Sequence, residues 1–274
     1  MAIISFWNNG KEETGKSSAI AAISTYMGIN HNYKVLIVNT RHNDYFYQDC
    51  YWRESKSEKR VKSSITSMGD GINGLSRAVL SNKITPEIIT NYTKIVFNDN
   101  RLEILMDTDV QDEEYKTYKK VFKDIIQMAN KFYDLIFVDI DSNLDDATKE
   151  SIMQASDLIV GCVAQRIRNI NAYLKEIKQN KLLQEKPLLT CVGRYDSNSK
   201  YTGKVIAKYI KAKQVAVIPY NTAFMEACNE GKTGELFMKY VKVNKKDKNA
   251  DFILGVSDAA EKIIYKLQEL QMRM

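Results

Sequence analysis

The sequence predicts an α/β protein built on a doubly wound, mostly parallel sheet with helices on both faces, and three observations carry that expectation. Short runs rich in Ile, Val and Leu recur along the 274 residues. The stretches between them repeat their apolar residues at the 3.6-residue helical period. A glycine-bounded turn follows the first run and opens directly into an Ala/Ile-rich helix.

Taken in order, the runs are Ala2–Trp7, Lys34–Val38, Leu102–Met106, Leu135–Val138, Leu158–Ala164, Pro187–Gly193 and Gln214–Ile218. Strands covered on both faces read as continuous apolar runs of this kind, and their alternation with helices indicates βαβ units. Helices are expected over Ser18–Met27, over Glu113–Lys131 with Val121, Ile125, Met128 and Ala129 on one face, and after Arg166 with Ile167, Ile170, Leu174 and Ile177 aligned. A last helix, Ala259–Met274, places Ile263, Ile264, Leu267, Leu270 and Met274 near one face, the stripe that packs on a domain. The stretch from Arg41 to Asn100 shows little strand signal and is expected to be a helical excursion packed on the sheet edge. No linker and no repeat divides the chain, so residues 1–274 are read as one domain.

Composition narrows the class. With 44% apolar residues and three prolines the chain can bury a substantial core. No apolar run approaches the ~20 residues that span a bilayer, and no basic-then-apolar leader opens the sequence, so a soluble cytoplasmic protein is expected. Cys50, Cys162, Cys191 and Cys228 are widely spaced and only His31 and His42 accompany them, which argues against a zinc module or disulfide framework. The net charge of +6 is concentrated: Arg53–Lys62 and Lys239–Lys248 together carry +7. An anionic partner is therefore expected at Arg53–Lys62 and at Lys242, Lys245 and Lys246, where non-specific contact with DNA phosphates needs charge more than base-reading geometry. Tyr45, Phe46, Tyr47, Tyr51 and Trp52, just before the first basic run, suit core packing or a protein contact better than stacking on bases.

The turn after the first run reads Gly10-Lys11-Glu12-Glu13-Thr14-Gly15-Lys16-Ser17 and fits G-x-x-x-x-G-K-[ST], the P-loop of nucleoside triphosphatases. Its glycines let successive backbone N–H groups, through Ser18, point at one anion together with the positive end of the helix dipole. Lys16 is the candidate partner of the β- and γ-phosphates of ATP or ADP, and the Ser17 hydroxyl is a candidate Mg²⁺ ligand. Tyr133–Asp139 is an apolar strand ending in a carboxylate, which suits Asp139 to the Mg²⁺ shell; it could instead cap the next turn, and Asp141 offers a competing carboxylate. Asp196, after a strand end, is a weaker candidate for the base edge.

With Lys11 directly after the first glycine, the chain resembles the deviant Walker A ATPases of the ParA/MinD superfamily. The resemblance extends over the Walker B strand at 133–139, the strand entry at Ala155–Val160, and Ile218-Pro219-Tyr220-Asn221 with Gly231-Lys232 after it. It implies an ATP-dependent homodimer in which Lys11 reaches the partner's phosphates, Pro219 and Tyr220 lie along the adenine, and the dimer engages DNA, a membrane or a protein. Of these a membrane is the least expected here, because nothing follows the last helix that would serve as a separate lipid-binding segment.

The sequence also departs from that pattern. Glu12 and Glu13 stand where the loop normally has two glycines. Asn39-Thr40-Arg41 stands where D-x-D is usual, so the carboxylate that positions the attacking water is missing. Ile140–Asn143 replaces a proline-containing turn. Nucleotide binding with slow hydrolysis is the resulting expectation, in a DNA-segregation or positioning switch; the alternative is a scaffold that hydrolyses little and localises a pilus, secretion or conjugation apparatus.

Overall fold

The computed structural model describes residues 1–10, 13–52, 71–81, 85–97, 99, 101–106, 110–244 and 246–272. Among these, eight strands form one sheet: β1 (Ala2–Trp7), β2 (Val35–Asn39), β3 (Lys94–Ile95), β4 (Leu102–Leu105), β5 (Leu135–Asp139), β6 (Leu158–Ala164), β7 (Leu188–Tyr195) and β8 (Ala216–Pro219). Their order is β3-β4-β2-β5-β1-β6-β7-β8, and every neighbouring pair is parallel except β3 against β4. The seven expected strands are all present. The eighth, β3, is two residues long, too short to leave a period in the sequence.

Alternation along the central strands divides the core. Ile4 and Phe6 of β1, Ile37 of β2 and Phe137 of β5 face one layer, built by helix α1 (Lys16–Asn30) and the C-terminal helix Ala250–Gln271. Ile3, Trp7, Leu36, Val38, Ile136 and Val138 face the other, with Ile125, Ile126, Ile152 and Ile170 from the helices opposite. Helix α1 is buried on nearly all sides because it lies between sheet and C-terminal helix, so it needs no polar face. The C-terminal helix starts at Ala250 rather than Ala259, since Phe252, Ile253 and Val256 continue its buried stripe. The Glu113–Lys131 segment is two helices, Asp112–Tyr118 and Phe122–Ala129. A 3-10 turn at Lys119–Val121 separates them and brings Tyr118, Val121 and Phe122 inward together.

The 41–100 stretch holds helix α2 (Phe46–Tyr51), a helix at Gly71–Leu80 and a 3-10 turn at Pro86–Asn91, and it feeds both core layers: Tyr47 and Cys50 one, Ile72, Leu75 and Ile89 the other. Arg53–Lys62 lies outside the described residues. All four cysteines are buried free thiols. No helix among the described residues is long and apolar enough to cross a membrane.

Strand β1 sits between β5 and β6. The chain leaves β1 toward β2 on one side, whereas the β5-to-β6 connection crosses to the other. Loops that diverge in this way open a crevice at the carboxyl ends of the strands.

Candidate nucleotide site

The loop after β1 lies in that crevice. Gly10 (φ 71°) and Gly15 (φ 72°) both occupy the left-handed region, where a side chain would be strained. Helix α1 begins at Lys16 with no side-chain cap and no acidic residue in its first turn. Its first backbone hydrogen bond runs from Ala19 N–H to Gly15 O at 2.8 Å, so the amides of Lys16, Ser17 and Ser18 head the helix without a partner inside it. Three free amides and an uncompensated dipole at one helix end suit an anion. Behind the loop, buried Thr14 accepts a hydrogen bond from Asn8 Nδ2 at 3.3 Å. Lys11 and Glu12 lie outside the described residues.

Asp139 ends β5 in register with Phe6 of β1 and Asn39 of β2, so it emerges between the two loops. Lys16 Nζ stands 2.8 Å from Asp139 Oδ1 and also donates to the carbonyl of Ile140. Ser17 Oγ donates to Asp139 Oδ2 at 2.6 Å, and Tyr47 OH donates to the same oxygen at 2.7 Å. Burial alone would raise the Asp139 carboxyl, but Lys16, Arg41 and the Ser17 hydroxyl outweigh it and hold it below the ordinary carboxylate value. Burial and the Asp139 charge both push the Tyr47 phenol up, so it remains a donor. Asp139 does not cap the next turn. That part falls to Asp141, whose Oδ1 accepts Asn143 N–H at 3.0 Å.

The β2 end is tied into the same cluster. Thr40 Oγ1 donates to the Asp139 carbonyl at 2.8 Å and accepts from Asp141 N–H at 2.8 Å. Asn39 accepts Arg41 N–H and donates to the Asp44 carbonyl, while Arg41 pairs with Asp44 Oδ2 at 2.8 Å. Asp44 Oδ1 accepts Phe46 N–H at 2.8 Å. Both nearby carboxylates that could replace the missing one, Asp44 and Asp141, are thus engaged.

On the other flank, β7 braces the loop. A Cβ at Gly193 would stand 2.1 Å from Thr14 O, so only glycine lets the strand approach this closely. Arg194 NH1 reaches Glu13 Oε2 at 2.6 Å, and the two side chains are 49% and 81% exposed. Glu13 therefore turns to a basic partner at the surface instead of crowding the anion site. Asp196, Pro219 and Tyr220 follow at the same edge, with Tyr195 in register with Pro219 and Tyr220 N–H on Tyr195 O at 2.9 Å. Tyr220 is 58% exposed. Asp196 Oδ1 accepts both the backbone and side-chain N–H of Asn198.

Solved structures with this architecture include the MinD cell-division ATPase of Pyrococcus furiosus, with 19% identity, a TM-score of 0.68, and 96% of this chain and 100% of that one covered. The chain has the fold of the MinD and ParA ATPases. A ParA-family ATPase of Chlorobium tepidum TLS matches at 18% identity and TM-score 0.68 over 94% of this chain and 98% of its own. The septum site-determining MinD of Pyrococcus horikoshii OT3, solved with Mg-ADP, matches at 19% identity and TM-score 0.64 over 96% and 95%. No protein-family model matches the sequence, and no match is found among curated proteins.

Within this MinD/ParA fold the donor set fits Mg²⁺. Ser17 and Asp139 supply hard oxygens, and buried Asp139 Oδ1 faces only the Lys16 ammonium among the described residues. No group of three or more His, Cys, Asp or Glu among the described residues is placed to hold a metal by itself. Sequence reasoning missed two members. Tyr47 read as a core aromatic, which it also is; Arg194 lies far from Glu13 in the chain, and nothing local pairs them.

Proposed function

We propose that this protein is an ATP-binding switch of the ParA/MinD kind, taking ATP or ADP with Mg²⁺ at the β1 loop. The observation that carries the reading is the convergence of Lys16, Ser17 and Asp139 in front of an uncapped helix whose preceding loop is held by two left-handed glycines. Lys16 and the loop amides bind the β- and γ-phosphates, Ser17 and Asp139 hold the ion, and Asp196, Pro219 and Tyr220 border the base. Bound Mg²⁺ offsets charge on the phosphate oxygens. Lys16 now neutralises Asp139; on binding it exchanges that carboxylate for phosphate, so the cluster is charge-balanced in both states. The nucleotide-loaded protein pairs with a second copy, and Lys11 contacts the partner's nucleotide. The dimer engages DNA or a protein, and hydrolysis is slow because Arg41 stands where a water-positioning carboxylate is usual.

A second reading, a scaffold that hydrolyses little, draws support from Asp44 and Asp141, both already committed to other partners. Calorimetry with ADP and ATP, each with Mg²⁺ and with chelator, tests the nucleotide site; absence of binding overturns it. Turnover with and without duplex DNA separates the two readings. Stimulated hydrolysis favours the DNA switch, and a flat, near-zero rate favours the scaffold.

A further inference from the structure

Asp139 receives two hydroxyls on one oxygen and only an ammonium on the other. Oδ2 accepts from Ser17 at 2.6 Å and from Tyr47 at 2.7 Å. A carboxylate oxygen has about two acceptor positions, so Oδ2 is filled. Oδ1 has the Lys16 ammonium at 2.8 Å and accepts from no hydroxyl. Tyr47 is fully buried, and its helix rests on α1 through Tyr51 OH, which lies 2.8 Å from Thr25 Oγ1 and donates to Ala21 O at 3.1 Å. The phenol is thus fixed at the ring end by packing and at the hydroxyl end by Asp139.

From this geometry we infer that Tyr47 is a positioning residue for the ion-binding carboxylate: by occupying Oδ2 it reserves Oδ1 of Asp139 for the Mg²⁺ shell when Lys16 moves to phosphate. The inference rests on the nucleotide reading above. Without the phenol, Oδ2 has an open position, and the carboxylate is free to turn and to compete for the donors that Oδ1 needs. Partners that orient a metal-binding group in this way are typically worth about 10–100-fold in metal affinity.

The test is calorimetry of ADP binding to the full chain, with Mg²⁺ and with EDTA, for wild type, Tyr47→Phe and Tyr51→Phe. Tyr47→Phe is expected to weaken Mg²⁺-ADP binding about tenfold and EDTA-ADP binding less than about twofold. Tyr51→Phe, which removes a hydroxyl from the same helix but not from Asp139, leaves the Mg²⁺ enhancement as in wild type. Equal losses in both media, or an unchanged Mg²⁺ enhancement in Tyr47→Phe, overturn the positioning role. Wild type that binds no nucleotide overturns the nucleotide reading itself. Should Tyr47→Phe fail to fold, the chain carrying 3-fluorotyrosine at position 47 keeps the hydroxyl. Its fluorine resonance is expected to move when Mg²⁺ is added to the ADP complex, and an unmoved signal overturns the proposal.

Discussion

The loops after β1 and β2 reach Asp139 from different strands, but they are made differently. The first works through backbone: two left-handed glycines and a row of free helix amides. The second works through side chains, with Asn39, Thr40, Arg41, Asp44 and Tyr47 bonded to one another and to β5. Backbone devices depend on glycine at fixed spacing and can be read from one sequence. Side-chain networks depend on which residues the topology brings together. That contrast can be broken at either loop.

The largest effect belongs to Lys16. Lys16→Ala is expected to reduce nucleotide affinity at least about 100-fold, since it removes the cation against the phosphates. It also strands a fully buried carboxylate, so unfolding stability should fall by about 3–5 kcal/mol. Adding Asp139→Asn removes that charge. Urea denaturation should then show most of the stability restored, while calorimetry shows binding still lost. Recovered binding would show that Lys16 serves Asp139 and not a phosphate.

Gly193→Ala comes next and attacks the backbone loop from its neighbour. The new Cβ would meet Thr14 O at 2.1 Å, a contact that moves the loop or the strand. A cost of about 1–3 kcal/mol is expected, with weaker nucleotide binding, because overpacked sites relax only by shifting backbone. A thermal melt and a calorimetric titration superimposable on wild type would show that this approach does not hold the loop.

Much of this architecture is legible without coordinates, for identifiable reasons. Seven strands announce themselves because burial on both faces leaves uninterrupted apolar runs. Gly10, Gly15, Lys16 and Ser17 are legible because their spacing encodes a turn. What was hidden needed three dimensions: β3 exists only through pairing with β4, Glu13 finds Arg194 across the chain, and Tyr47 serves the core and Asp139 at once. Charge sums along the chain also conceal clusters. Residues 166–213 hold twelve basic and three acidic residues, a concentration masked when averaged with acidic segments elsewhere.

Hydrolysis probes the side-chain loop. Turnover of about one per minute or less is expected in steady state. From sequence, Arg41→Asp looks like a restoration. In the structure Arg41 balances Asp44 and the field of Asp139, so the change gathers three carboxylates. No acceleration and a loss of about 1–2 kcal/mol are expected, measured by phosphate release and urea unfolding. A wild-type rate above about one per second would show that another group positions water.

Acid should expose the same balance. Because the folded Asp139 carboxyl lies below its ordinary value, its contribution to stability is complete above the unfolded-state value of about 4 and is lost as pH falls through the folded value. Asp139→Asn should flatten that part of the acid limb in a pH series of unfolding curves, and an unchanged slope would mean that other carboxylates carry it.

The smallest effects are expected at the surface, where neither loop's geometry is involved. If the loaded dimer meets duplex DNA through lysines, its affinity falls with salt by about 0.9 per phosphate contacted on a log–log plot. Lys242 and Lys246 are exposed, and Lys245 between them lies outside the described residues. Changing all three to Glu should lower affinity equally across sequences and flatten the salt slope, because such contacts position without reading bases. The basic 166–213 segment offers a rival: Lys175 and Lys178 line a groove of about 510 Å³ with Tyr209. A salt slope that survives the 242/245/246 reversal but drops with Lys175→Glu and Lys178→Glu moves the contact to that groove. Wild-type protein with ATP that fails to retard duplex DNA at low salt removes DNA as the proposed partner and leaves the scaffold reading in its place.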